Sequence, residues 1–361
     1  MEPLKNRYNK NYINTLATSV KKVYPAFNSQ GFSADVLNEG WEELALKERM
    51  QRITLCLHQH LPEDFIESVK ILRKVAPEFG DFTAMLFPDY VERYGLAYPE
   101  VAYEALAHFT CFSSSEFAIR PFILNYPEKT MEQMQKWSKN SNHHVRRLAS
   151  EGCRPRLPWA MALPDFKKNP EPILPILEQL KADPSEYVRR SVANNLNDIS
   201  KDHPELVLKL GRRWFGKSKA TDKLVKHALR TLLKAGNSEA MQLFGFKANV
   251  NVKLLTFELN TKEVKREGQL DFHFDLTLKG NKAEQVRLEY KVYYQKANGS
   301  LTGKVFKIGE HQLLPNEKRT IKRKHAFKDL TTRKHHPGLH KLAIVINGRE
   351  EESVDFTLLA S

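Results

Sequence analysis

The run Val145-Arg-Arg-Leu-Ala-Ser-Glu-Gly-Cys-Arg-Pro-Arg-Leu-Pro-Trp159 gathers more reactive chemistry than any other stretch of this chain. Arg147 and Glu151 lie four residues apart, one turn of a helix, and so share a face. Gly152 marks the helix end, and a loop broken by Pro155 and Pro158 is expected to present Arg154, Arg156 and the Trp159 indole. Cations that grip phosphate, a carboxylate that stabilises positive charge and an aromatic face together suit work on a cationic nucleic-acid lesion.

Other chemistries leave no trace. There is no GxSxG elbow, no P-loop and no HExxH. His143 and His144 are adjacent, so on a helix they diverge and cannot chelate together. His335-His336 precede Pro337 in a basic segment, where phosphate contact is expected rather than ligation. No metal and no cofactor are therefore expected.

The composition points to the same class of partner. The chain has 361 residues, 41% of them hydrophobic, and a net charge of +14, which favours a polyanion. Cys56, Cys111 and Cys153 are too few for a disulfide framework, which fits a reducing cytosol. Met1 to Lys22 is polar, and no stretch reads as a membrane span, so an intracellular, cytoplasmic protein is expected, nucleoid-associated when bound to DNA.

These residues must be positioned by two kinds of element. Residues 1–246 read in helical periods. From Tyr187 to Ser200 the apolar residues are Val188, Val192, Leu196 and Ile199, a 3.6-residue stripe that Asp183-Pro-Ser-Glu introduces in helix-start order. Residues 247–361 alternate instead. Val250–Phe257, Leu270–Leu278, Val286–Tyr294, the Val305 strand, Leu342–Ile346 and Ser353–Leu358 step apolar, polar, apolar, and Asn298-Gly299 is a hairpin turn. Six or seven short strands imply an antiparallel sandwich of immunoglobulin-like type, without the cysteine pair of antibodies.

The helical half repeats. Val145-Arg-Arg, Val188-Arg-Arg and Val225-Lys-His open three similar helices at a period of roughly 40 residues, which is HEAT-like. Aligned on their valines, they yield one polar column: Arg147/Glu151, Arg190/Asn194 and His227/Thr231. A merely solvated face favours Lys and Glu, whereas this column carries residues that meet phosphates and base edges. Arg189, beside Arg190, joins the DNA-facing candidates. Asp198, one turn beyond Asn194, is a further candidate carboxylate.

With these repeats, Ser113-Ser-Ser-Glu-Phe-Ala-Ile-Arg-Pro-Phe-Ile and Arg154-Pro-Arg-Leu-Pro-Trp159, the chain resembles the AlkC branch of the bacterial HEAT-like DNA alkylation-repair glycosylases. The helical similarity spans about residues 10 to 246, and the β half matches the AlkC type with an immunoglobulin-like C-terminal domain. The resemblance implies hydrolysis of the N-glycosidic bond of alkylated bases, chiefly 3-methyladenine and 3-methylcytosine, without base flipping. It implies that Glu116, Glu151 and Trp159 face the lesion and that Arg147 contacts the backbone. On structural grounds alone, Glu116 following three serines also suits a helix start, where it contributes about 0.3–1 kcal/mol. Glu151 likewise suits an i,i+4 ion pair worth about 0.3–0.5 kcal/mol.

The chemistry is coherent from below. An N3-alkylated purine is already cationic, so the leaving base needs no further protonation. Positive charge moves onto the sugar in the transition state, and a carboxylate there stabilises that state more than the ground state. No lysine occupies a nucleophile motif, so no lyase step is expected. The rival reading is a non-catalytic HEAT scaffold that binds nucleic acid or protein, but a scaffold has no use for carboxylates converging on an indole.

Beyond residue 246 there are 22 Lys and Arg against 14 Asp and Glu. Lys322, Arg323 and Lys324 in one strand, and Arg333 and Lys334 in one loop, concentrate that charge. They are expected to contact phosphates of double-stranded DNA containing alkylated bases, the sandwich and the solenoid together forming a clamp that works as a monomer.

Overall fold

The computed structural model describes residues 2–329 and 334–360. Among them, sixteen α-helices precede eight β-strands. The chain forms two compact units. One runs to His203 and takes in Trp214–Ala228; the other comprises Pro204–Arg213 and the chain from Leu229 onward. The turnover from helix to strand falls between Leu243 and Val252. The change of packing partner thus falls earlier than the change of secondary structure.

In the first unit, helices pair into HEAT-like repeats. Pro127–Trp137 packs on His143–Glu151, and Leu174–Leu180 packs on Glu186–Ile199. The second helices of these pairs and Lys219–Ala228 lie side by side. Val145, Val188 and Val225 are all buried, so each V-x-x start marks the inward register. Val188, Val192, Leu196 and Ile199 are at most 1% exposed. Burial of each such side chain is worth about 1.5–3 kcal/mol.

Caps and cross-ties fix the repeat spacing. The Asn142 side chain accepts from the His144 N–H at 2.8 Å, and Asp183 Oδ1 accepts from the Ser185 N–H at 2.8 Å. Between neighbours, Ser150 and Ser191 hydroxyls meet at 2.5 Å, and Asn195 Nδ2 donates to the Ser150 carbonyl at 2.8 Å. Arg146, the first arginine of its VRR start, forks onto Asp183 of the next repeat at 2.6 and 3.0 Å. Arg146 is thus a tie between repeats, whereas the next residue, Arg147, turns to the carboxylates of Glu116 and Glu151.

The second unit contains the sandwich. Its strands are β1 (Val252–Leu259), β2 (Glu263–Val264), β3 (Gln269–Leu278), β4 (Glu284–Gln295), β5 (Leu301–Leu313), β6 (Lys318–Ala326), β7 (Gly338–Ile346) and β8 (Arg349–Leu358). One sheet has the order β1-β3-β6 and the other β2-β8-β7-β4-β5. The eighth strand, beyond the six or seven expected, is β2. At two residues it is too short to show a period, and it pairs parallel to β8 in an otherwise antiparallel array.

Alternation carries the core. Leu270, Phe272, Phe274, Leu276 and Leu278 of β3 pack with Val286, Leu288, Tyr290 and Val292 of β4 and Leu342, Ile344 and Ile346 of β7. The expected Asn298-Gly299 turn joins β4 and β5, with Gly299 at φ +79°. On β4 the alternation does not place charge in solvent: Arg287 and Glu289 are buried and paired at 2.6 Å. The loop that follows the helix Ser238–Leu243 is tied to the turn between β7 and β8, since Asn347 Nδ2 donates to the Lys247 carbonyl at 2.8 Å. Gly236 and Gly348, both at positive φ, approach so closely that a Cβ on Gly236 would sit 2.7 Å from the Gly348 oxygen.

Candidate active site

The expected carboxylates and arginines converge in the first unit. Arg147 donates to Glu116 through both terminal nitrogens, at 2.9 and 3.3 Å, and to Ser114 Oγ at 2.7 Å. Its second terminal nitrogen lies 3.5 Å from Glu151 Oε1, the expected i,i+4 pair. Arg154 donates to the same Glu151 oxygen at 2.6 Å and, through Nε, to Asp198 Oδ2 at 2.9 Å. Glu116, Arg147, Glu151, Arg154 and Asp198 therefore form one chain of alternating charge, drawn from four separate segments.

The cluster is largely withdrawn from water. Glu116, Glu151, Arg154 and Asp198 are all buried. Burial alone would lower the pKa of Arg147; Glu116 first and Glu151 next more than offset it, so it is raised. Burial likewise disfavours the charged Arg154, and Glu151 and Asp198 reverse the effect. Both arginines approach Glu151 through Oε1, and Oε2 takes no hydrogen bond from the described residues. That oxygen keeps its acceptor capacity open.

Trp159 stands apart from the core, 84% exposed, with its backbone at φ +64°. A bulky side chain in that left-handed region costs about 1–2 kcal/mol, so the surrounding loop must enforce it. The loop is anchored by buried Pro155, Leu157 and Leu163, and the Leu163 N–H donates to the Pro155 carbonyl at 3.2 Å. At this exposure Trp159 does not anchor the core. The indole is presented, not packed.

Residues 104–221 match a family model described as "DNA alkylation repair enzyme", and residues 253–360 match one described as "Uncharacterised protein YhaZ, C-terminal Ig-like domain". The chain is 47% identical over 356 residues to YhaZ of Bacillus subtilis (strain 168), covering 99% of each. It superposes on the alkylpurine DNA glycosylase AlkC of Pseudomonas fluorescens, solved bound to DNA containing an abasic site analog, with a TM-score of 0.96. The identity is 38%, over 99% of this chain and 100% of that one.

The chain belongs to the AlkC family of DNA alkylation repair enzymes. Within this AlkC-type chain the other candidate residues fall into distinct groups. Arg190 is exposed and loosely paired with Glu186 at 3.5 Å. His227 and Asn194 join at 3.0 Å across adjacent helices, extending the polar column. The column ends there, because that helix stops at Ala228 and Thr231 belongs to the separate helix Arg230–Lys234.

Three arginines of the helical unit are placed differently from expectation. Arg154 is not presented by its loop: it is 6% exposed and turned inward, because two buried carboxylates compete for it more strongly than water does. Arg189 folds back onto the carbonyls of Asp183 and Pro184, at 2.5 and 2.9 Å, which occupies one of its terminal nitrogens with a helix-start cap. Arg156 remains partly exposed but forks onto Asp202 at 2.7 to 3.2 Å. Asp198 is more than a solvated surface acid, since it is 2% exposed and bound by Arg154.

In the sandwich, Lys322, Arg323 and Lys324 are exposed on β6, an edge strand. Lys324 lies 3.2 Å from Asp271, so part of its charge is neutralised locally. Arg323 donates to the Ile308 carbonyl at 3.3 Å. Lys334 is exposed, whereas Arg333 lies outside the described residues. His335 is buried among Phe327 and Tyr294 at centroid distances of 5.4 and 5.3 Å, so aromatic packing rather than phosphate occupies its ring.

Two residues of the site escaped the sequence reading. Tyr187 lies over the Arg147 guanidinium at 5.0 Å, a cation–π contact from the neighbouring repeat. The available signal was its place just before Val188, aligned with His144 before Val145. Arg120, in the segment that carried the family resemblance, binds three carbonyls of the Trp159 loop region. Nothing in its spacing distinguishes it from a helix-start cation.

Proposed function

We propose that this chain is a monofunctional DNA glycosylase that releases cationic alkylated bases, 3-methyladenine and 3-methylcytosine, and leaves an abasic site. The observation that carries the reading is the pairing of Glu116 and Glu151 on Arg147 within one unit that also presents an exposed indole. Arg147 and Arg154 orient the carboxylates. Glu151, through its unengaged oxygen, stabilises positive charge on the deoxyribose and positions water for attack at the anomeric carbon. Glu116 and Asp198 complete the acidic field around it.

Trp159 offers its ring to the cationic base or sugar, a contact worth on the order of 1–2 kcal/mol when desolvated. An indole standing in solvent rather than lining a base-sized cavity supports recognition without flipping the nucleotide. Lys322, Arg323 and Lys334 supply sequence-independent affinity through the DNA backbone. The test is incubation of the purified protein with methylated DNA. Free 3-methyladenine and alkali-labile abasic sites, with no borohydride-trapped adduct, are the expected products; their absence overturns the reading.

A further inference from the structure

The conformation of Trp159 requires an explanation that the charged cluster does not provide. Left to itself, a tryptophan at φ +64° relaxes into the extended or right-handed region. Two cations bind the carbonyls of this loop from helices distant in sequence. Arg120 donates through Nε to the Met161 carbonyl at 2.7 Å, and through one terminal nitrogen to the Gly152 and Arg154 carbonyls at 2.9 and 3.0 Å. One guanidinium thus fastens the beginning and the end of the loop together. Lys47, at the start of the helix Leu46–His60, donates to the Trp159 carbonyl itself at 2.8 Å, and its ammonium lies 5.7 Å from the centre of the Phe117 ring.

Arg120 is 0% exposed and meets main-chain carbonyls rather than a carboxylate in direct contact. Burial pushes its pKa down to about 10. A buried cation of that kind is costly, and its three carbonyl contacts all lie on the segment that carries the indole. Lys47 by contrast is exposed, so its loss removes little packing.

We infer that Arg120 and Lys47 are positioning residues: Arg120 closes the Gly152–Met161 loop, and Lys47 fixes the Trp159 peptide so that the indole is held toward the substrate. Neither touches the reacting atoms. The inference rests on the glycosylase reading for its effect on rate, but the loop order it describes exists in the free protein.

The test uses the full chain with Lys47→Met and Lys47→Arg, each alone and with Trp159→Ala. Single-turnover release of 3-methyladenine by Lys47→Met should fall about tenfold, since small misplacements of positioning groups produce losses of ten- to a hundredfold. The dissociation constant for the DNA should change less than twofold, Lys47→Arg should restore most of the rate, and Lys47→Met should have no further effect once Trp159 is alanine. In protein labelled with 5-fluorotryptophan, the Trp159 resonance should shift or split in Lys47→Met while those of Trp41, Trp137 and Trp214 stay fixed.

Lost affinity with an unchanged rate, or a penalty that persists in Trp159→Ala, would make Lys47 an ordinary DNA contact and overturn the inference. An unmoved Trp159 resonance would overturn it as well. If wild type releases no base while the resonance moves in Lys47→Met, the glycosylase reading fails and the positioning role stands.

Discussion

Arg154 donates through Nε to Asp198 at 2.9 Å, joining the loop after one repeat to the helix of the next. Both groups are buried, so the pair contributes mainly through what its loss would expose. Removing one partner of a buried pair costs about 3–5 kcal/mol, because the other charge is left uncompensated. Arg154→Ala should therefore lower unfolding stability by about that amount in a urea titration. Arg156→Ala, which breaks a partly exposed fork, should cost about 1 kcal/mol or less. Equal losses would mean that Arg154 is no more structural than its neighbour.

Trp159 separates function from stability. Replacing it with glycine removes the penalty for positive φ, so stability should rise by about 1 kcal/mol or stay level. Base release should fall at least tenfold in the same variant. A loss of stability with retained release would show that the indole serves the fold.

Much of this arrangement is legible in the sequence, and the rest has identifiable reasons. Periodicity located Glu186–Ile199 and most of the strands, since one face of each is apolar. Spacing placed Arg147 one turn from Glu151. The direction of Arg154 was not legible, because a loop arginine after glycine looks alike whether it meets phosphate or a carboxylate 44 residues later. The role of Arg120 was hidden for the same reason, its partners being backbone carbonyls that no residue type announces. The burial of Arg287 and Glu289 reflects packing on the sheet face that a two-residue alternation cannot register.

Glu92, on the helix Leu86–Tyr94, supplies a pH-dependent test of the fold. Burial first, and then the Asp89 charge, push its pKa up from 4.5 to about 7, with Arg93 and Lys47 opposing. Between those values the folded chain binds a proton that the unfolded chain has lost, so stability falls as pH rises and levels off once pH passes about 7. The melting temperature of Glu92→Gln should exceed that of wild type by a margin that widens from pH 5 to pH 8. Parallel curves would contradict this account of Glu92.

The basic edge strand β6 makes a prediction about salt. Each phosphate contact contributes about 0.9 to the slope of log K against log salt. Replacing Lys322 and Arg323 with alanine should lower that slope by up to about 2 while weakening binding to all sequences alike. Lys324→Ala should have a smaller effect, since Asp271 already neutralises part of its charge. An unchanged slope in the double variant would assign these lysines and arginines to solubility or edge protection.

The central claim is that a carboxylate of the Arg147 cluster performs the chemistry. It is tested most directly by single-turnover release of 3-methyladenine from methylated DNA, measured for wild type, Glu116→Gln and Glu151→Gln at matched DNA occupancy. Wild type should release the base. Both variants should bind as wild type does and lose at least a hundredfold in rate, Glu151→Gln the more, because it carries the unengaged oxygen. Full release by both variants, or none by wild type with binding intact, would contradict the account.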